Sequence, residues 1–177
     1  MQTFADFGVS EPICSALADK GITEPFPIQA LTLPVALRGN DIIGQAKTGT
    51  GKTLGFGIPM LENTIGVGEN GWDAFPPQQR GKPQGLVILP TRELAIQVAE
   101  ELRGAAAHRN IRIVELYGGR AYEPQQKALK KGAEIVVGTP GRLIDLMKHK
   151  SLDLSYAHTV VLDEADEMLE LGFLEDV

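Results

Sequence analysis

Apolar residues along this chain fall into two alternating kinds of run. Short, nearly continuous stretches rich in Ile, Val and Leu occupy residues 41–45, 85–89, 111–117, 134–138 and 158–162. Each predicts a buried strand. Between them the apolar positions take helical spacing. Leu54, Ile58, Leu61 and Ile65 recur at offsets of four, three and four residues, and Leu94, Val98 and Leu102 recur every four. Each set predicts a helix face turned to a sheet. The alternation predicts an α/β domain with a mainly parallel sheet and helices on both faces. Ahead of the first strand, Ser10 is placed to cap a helix ending near Gly21, and Pro27 to open another closing at Gly39. Residues 66–84, with Pro76 and Pro77 near their centre, predict a surface loop that carries two aromatics, Trp72 and Phe75.

Composition narrows the picture modestly. The 177 residues, 43% of them apolar, suit one domain with a single core. A formal charge of −6 argues against a surface that attracts nucleic acid everywhere, yet leaves room for a local basic groove. Cys14 is the only cysteine, which excludes an internal disulfide and a multi-cysteine metal site. It is expected to act as a small buried apolar group. The start of the chain has no basic segment followed by a long apolar run, so no secretory signal is expected. No uncharged apolar run approaches the ~18 residues of a membrane span. The expected location is cytoplasmic, with no membrane partner.

Candidate chemistry lies where predicted strands end. After the 41–45 run come Ala46, Lys47, Thr48, Gly49, Thr50, Gly51, Lys52 and Thr53. Such a glycine-rich turn can present backbone N–H groups to phosphates, because glycine tolerates positive φ and has no Cβ. Lys52 then places a charge on the β/γ oxygens, and the Thr53 hydroxyl can ligate Mg²⁺. The strict pattern wants Gly where Ala46 stands, so an ordinary glycine-rich turn is the competing reading. The 158–162 run ends at Asp163, Glu164, Ala165 and Asp166. One carboxylate there could join a metal shell and another reach an attacking water, although three acids could also simply cap the next helix. Together the two segments predict a nucleoside triphosphate site.

Four further segments are hard to explain by packing. Gln29 closes the stretch that begins at Gly21, and Phe4 lies upstream of it. A Gln amide carries a donor and an acceptor and could pair with adenine while an aromatic covers the base; a solvated polar residue near a helix start is the alternative. Pro90, Thr91 and Arg92, then Gly118 and Gly119, then Thr139, Pro140, Gly141 and Arg142 each follow a predicted strand. Helix starts with Arg nearby make phosphate sites that read no bases. Helix capping explains any one of these segments alone, whereas three on one sheet rim would line a path several nucleotides long.

On these residues the chain resembles the DEAD-box RNA helicases, specifically their N-terminal RecA-like domain. The likeness is to the bacterial branch, including its heat-resistant RNA-dependent ATPases. It runs from Phe4 to the end of the chain. Ala46 fits the family, and Ile22, where an aromatic is commoner, is a small departure. The resemblance implies ATP and Mg²⁺ as cofactors. Phe4 would stack on adenine and Gln29 bond it. Thr48, Gly49, Thr50, Gly51, Lys52 and Thr53 would hold the triphosphate, with Thr53 and Asp163 at Mg²⁺. Lys52, Asp163 and Glu164 would be catalytic, with Glu164 acting on the attacking water, and Asp166 would couple the site to motif III. Pro90, Thr91, Arg92, Gly118, Gly119, Thr139, Gly141 and Arg142 would contact the backbone of one RNA strand.

The resemblance also implies absences. The chain stops before motif III and before the second RecA-like domain, which carries the family's arginine fingers. It is therefore expected to bind nucleotide but hardly to hydrolyse it alone, and to be incomplete as a cooperative folding unit. Two other classes are open to the same residues: another P-loop ATPase such as a DNA translocase, and a non-catalytic RNA-binding fragment.

Overall fold

A computed structural model of the chain describes residues 2–39, 51–173 and 175–177. The strand expected at 41–45 lies outside them, as do Ala46, Lys47, Thr48, Gly49 and Thr50 of the glycine-rich loop. The chain divides into two compact units, one of residues 1–64 with 101–110, the other of residues 65–100 with 111–177.

The first unit contains a 3-10 turn, Ala5–Phe7, and helices α1 (Glu11–Ala18), α2 (Pro27–Ala36) and α3 (Lys52–Glu62). Phe4, Ile13, Leu17, Leu33, Ile58 and Leu61 are among its buried apolar side chains. Helix α2 lies tightly on α3 because α3 carries glycine where the two meet. A Cβ at Gly55 would stand 3.2 Å from Thr32 Oγ1, and that hydroxyl donates back to the Ile28 carbonyl of its own helix. The expectation that Ser10 caps α1 holds for its backbone position only, since its side chain makes no cap bond. The hydroxyl and the N–H of Ser10 both donate to Glu62, at 2.7 and 3.0 Å. A charged acceptor makes the stronger bond and ties the start of α1 to the end of α3. Cys14 is partly exposed rather than fully buried. Burial and the nearby Glu11 and Glu62 carboxylates push its thiol pKa up.

The second unit is built on β1 (Gly85–Ile88), β2 (Ile113–Leu116), β3 (Ile135–Gly138) and β4 (Thr159–Leu162), which form a four-stranded sheet in the order β2-β3-β1-β4. Every pairing is parallel. Helices α5 (Tyr122–Lys131), α6 (Pro140–Lys148) and α7 (Ala165–Glu170) follow β2, β3 and β4, and α4 (Arg92–Ala105) follows β1. Each strand is shorter than its apolar run. All residues of β1 and β3 are buried, so both faces of the sheet are covered there. The expectation of a buried strand fails at β4, where Val160 and Leu162 are 57% and 48% exposed. Among the described residues β4 pairs only with β1, and burial needs packing partners as well as an apolar sequence.

Leu86, Ile88 and Val136 pack with Leu143 and Leu146 of α6 and Met168 of α7. Glycine permits a close approach here. A Cβ at Gly138 would lie 2.7 Å from both the Leu116 carbonyl oxygen and Leu143 Cδ2. Glu134, fully buried, accepts bonds from the backbone N–H, Nε and Nη2 of Arg112. That fork satisfies a charge which would otherwise be costly inside the protein. Ile65, expected on the α3 face, falls beyond the end of that helix. Its N–H donates to the Gln84 side chain, and its carbonyl accepts from the same amide. Gln84 thus clasps both ends of the 66–84 segment, whose only helical piece is the 3-10 turn Trp72–Ala74.

Candidate functional site

In the first unit the candidate nucleotide residues gather at the start of α3. Gly51 adopts φ 80° and is pressed against α2, since a Cβ there would stand 2.3 Å from Gln29 Nε2 and 2.4 Å from Phe26 Cδ2. Only glycine suits that position, on both conformational and steric grounds. Gln29 is 1% exposed. Its Oε1 accepts from the Phe26 N–H and its Nε2 donates to the Gly51 carbonyl, each at 2.9 Å. The amide thereby caps α2 and pins the last residue of the glycine-rich loop. A carboxamide has two N–H donors and two lone pairs, so these two bonds use one donor and one lone pair. Phe4 is 2% exposed and belongs to the packed interior in this structure. Lys52 and Thr53, both half-buried, open α3 directly after Gly51.

In the second unit all strands run the same way in register, so every segment that follows a strand emerges on one rim. Asp163 follows β4, is 7% exposed, and is anchored by its N–H to the Ile88 carbonyl of β1. Its Oδ1 accepts from the Glu164 N–H. Glu164 itself stands at φ 55° and ψ 46°, a left-handed conformation that costs a non-glycine residue about 1–2 kcal/mol. Strain of this kind, held in place by a strand on one side and α7 on the other, is characteristic of sites that fix a side chain for chemistry. Asp166 is exposed in the first turn of α7.

Further along the rim, Thr91 Oγ1 accepts from the Leu94 N–H and caps α4. Arg92 is exposed beside Glu93, and its Nη1 lies 3.4 Å from where a Cβ at Gly119 would be. Gly119 has φ 81°, and a side chain at Gly118 or Gly141 would project into open space. Pro90 and Thr139 are buried, with Thr139 at the N-cap position of α6. Arg142 departs from the simple picture of an outward-facing cation. It is 8% exposed, its Nη2 donates to the Arg120 carbonyl at 2.9 Å and its Nη1 to Gln125 Oε1 at 3.0 Å. Its guanidinium also covers the Tyr122 ring at 4.1 Å.

The sequence reading singled out neither Gln125 nor Tyr122. Gln125 donates from Nε2 to the Tyr117 carbonyl, and the Tyr122 hydroxyl donates to Asp145 at 2.9 Å. That bond, aided by desolvation and the Asp145 charge, pushes the Tyr122 phenol pKa up against the opposing charge of Arg142. A Gln and a Tyr in a polar helix carry no periodic or motif signal, so only their partners reveal them.

A DEAD/DEAH box helicase family model matches residues 26–177. The chain belongs to that family. It is 49% identical over 176 residues to the ATP-dependent RNA helicase DeaD of Escherichia coli, covering 99% of this chain and 26% of that protein. It is 48% identical over 177 residues to the DEAD-box ATP-dependent RNA helicase CshA of Geobacillus kaustophilus, covering 100% and 35%. The chain thus spans about a quarter to a third of the length of these curated relatives. Among solved structures, a DEAD box protein from Methanococcus jannaschii superposes with a TM-score of 0.86 at 39% identity, covering 99% of this chain and 45% of that one. A hypothetical ATP-dependent RNA helicase from Sulfolobus tokodaii gives 0.81 at 36% identity, covering 94% and 45%. The fold is therefore the α/β RecA-like fold of DEAD-box domains, as the sequence resemblance implied.

Proposed function

We propose that this chain is the ATP-binding N-terminal RecA-like core of an ATP-dependent RNA helicase. With a second RecA-like domain it would couple ATP binding and hydrolysis to local unwinding of an RNA duplex. The observation that carries the reading is the meeting, on one rim of a parallel sheet, of Asp163 and Glu164 with the 90–92, 118–119 and 139–142 segments. Ligands of open α/β sheets bind beyond the carboxyl ends of the strands. Backbone amides, glycines and arginines there suit a sugar-phosphate chain and read no base sequence.

Roles follow from the chemistry of each group. Lys52 neutralises the β/γ oxygens and the phosphate loop from Thr48 to Thr53 holds the triphosphate. Thr53 through its hydroxyl and Asp163 through its carboxylate would each offer Mg²⁺ a hard oxygen donor, and the ion would supply positive charge against the phosphate oxygens. Glu164 takes the proton of the attacking water. Gln29 reads adenine with its remaining donor and acceptor, and Phe4 is the candidate aromatic for the base, although it is buried in this structure. Asp166 couples the site to the rest of the helicase core. No described helix is long and apolar enough to cross a membrane, and cytoplasmic action on RNA is the setting this reading implies.

The test is ATP hydrolysis by the full-length protein with and without nucleic acid. Single-stranded RNA should stimulate turnover, and DNA of the same sequence should not. Glu164→Gln should retain ATP and RNA affinity while kcat falls by ~10² or more, the loss expected for a general base. Stimulation by DNA as strong as by RNA would point instead to a DNA translocase, and near-normal turnover in Glu164→Gln would remove the base assignment.

A further inference from the structure

Arg142 is held where a residue that simply attracts phosphate need not be. Its bonds to Arg120 and Gln125 occupy two of the five N–H donors a guanidinium carries, and both go to one neighbourhood, the turn after β2 and the helix that follows it. One reaches the Arg120 carbonyl at 2.9 Å, next to Gly118 and Gly119. The other reaches Gln125 Oε1, whose amide donates in turn to the Tyr117 carbonyl at 3.0 Å, just before those glycines. The 118–120 turn is thus gripped at both ends, at Tyr117 through Gln125 and at Arg120 through Arg142. The Tyr122 ring under the guanidinium at 4.1 Å closes the third side.

The turn needs such support. Gly118, Gly119 and Arg120 are exposed, Gly119 sits at positive φ, and two adjacent glycines leave the backbone freer than any other pair would. A rim that binds phosphates through backbone N–H groups works only if those groups are already aimed.

We propose that Gln125 is a positioning residue for RNA binding, a two-sided latch that orients Arg142 and fixes the 118–120 turn. Arg142 then contributes chiefly through the geometry of its fork. The proposal rests on the assignment of this rim to an RNA backbone, and the experiment separates the two. Gln125 is 8% exposed, and its proposed part is to act through Arg142 and the turn rather than on the ligand.

The measurement is anisotropy of a short fluorescein-labelled oligouridylate bound to the full-length protein with a non-hydrolysable ATP analogue, at several salt concentrations. Gln125→Met should weaken binding about tenfold and have little further effect in an Arg142→Lys background, because contacting residues of one network are not additive. Arg142→Lys, which keeps the charge but loses the planar fork, should weaken binding by a similar factor without lowering the salt slope. Affinity for a fluorescent ADP analogue should stay within about twofold of wild type in both variants, since neither residue belongs to the nucleotide assignment. A loss of RNA affinity, ADP affinity and melting temperature together would make Gln125 a packing residue and overturn the latch. Unchanged RNA affinity in Gln125→Met, with loss in Arg92→Ala, would overturn the latch and leave the RNA surface standing. If the wild type binds no RNA, or Arg92→Ala and Gln125→Met both bind normally, both readings fall. Gln125→Glu serves as a second variant, since it still accepts from Arg142 but cannot donate to Tyr117; wild-type affinity there would also overturn the two-sided latch.

Discussion

At the scale of single residues, two polar side chains proposed as ligand contacts already hold structural bonds. Gln29 was read from the sequence as an adenine contact, and in the fold it already bridges the Phe26 N–H and the Gly51 carbonyl. Gln29→Ala is therefore predicted to act twice. It should lower preference for adenine over guanine nucleotides by about 1–3 kcal/mol, and it should destabilise the fold by about 1–3 kcal/mol by removing the partner of both the Phe26 N–H and the Gly51 carbonyl. Competition calorimetry with ADP and GDP measures the first effect, and urea unfolding the second. Equal affinity for ADP and GDP in the wild type would remove the adenine assignment outright. Arg142 was legible as a basic residue at a helix start and, by resemblance, as an RNA contact, but not the direction of its guanidinium, which depends on Gln125 and Arg120.

At the scale of elements, the alternation of strand runs and helix faces was enough to place four strands and the helices between them. A short continuous apolar run bounded by turns has few other ways to be buried. Boundaries moved where a local signal met a stronger tertiary partner, as when Ser10 turned to Glu62 instead of its own helix. Close approach between elements was not legible in the same way. Gly138 ends an apolar strand run like any other glycine, yet here it lets β3 lie close to both β2 and α6, with the Leu116 carbonyl 2.7 Å from where its Cβ would be. Backbone cannot yield as a side-chain tip can. Gly138→Ala is predicted to cost about 1–3 kcal/mol, the range of overpacked cores, visible as a lower urea midpoint with little change in m-value. Unchanged stability would mean that β2 shifts freely, contrary to its parallel pairing with β3.

At the scale of the whole molecule, the chain is a fraction of the length of its relatives, and its chemistry is proposed to need what a second RecA-like domain supplies. Phosphoryl transfer requires positive charge on the transition state, and a missing arginine finger is worth ~10³–10⁵ in rate. This chain alone is predicted to bind ADP and ATP but to turn ATP over at least ~10³-fold more slowly than the full-length protein with RNA. A coupled phosphate-release assay under saturating ATP makes the comparison. Comparable rates would show that these 177 residues hold all the groups hydrolysis needs. Lys52→Ala should weaken binding itself, which distinguishes loss of the charge on the phosphates from loss of chemistry.

What the amino-acid order determined by itself was whatever local physics could express: strand and helix periods, glycines at strand ends, acids after a strand, and with them the α/β class. The parallel strand order placed the separate 90–92, 118–119 and 139–142 segments on one rim. Tertiary structure alone decided which of the rim's polar groups face outward and which brace it, since burial and hydrogen-bond partners are properties of neighbours that no sequence interval specifies. It also decided that the apolar strand before Asp163 has an exposed face. Hydrophobicity states a preference for burial, and only the packing of other elements can satisfy it.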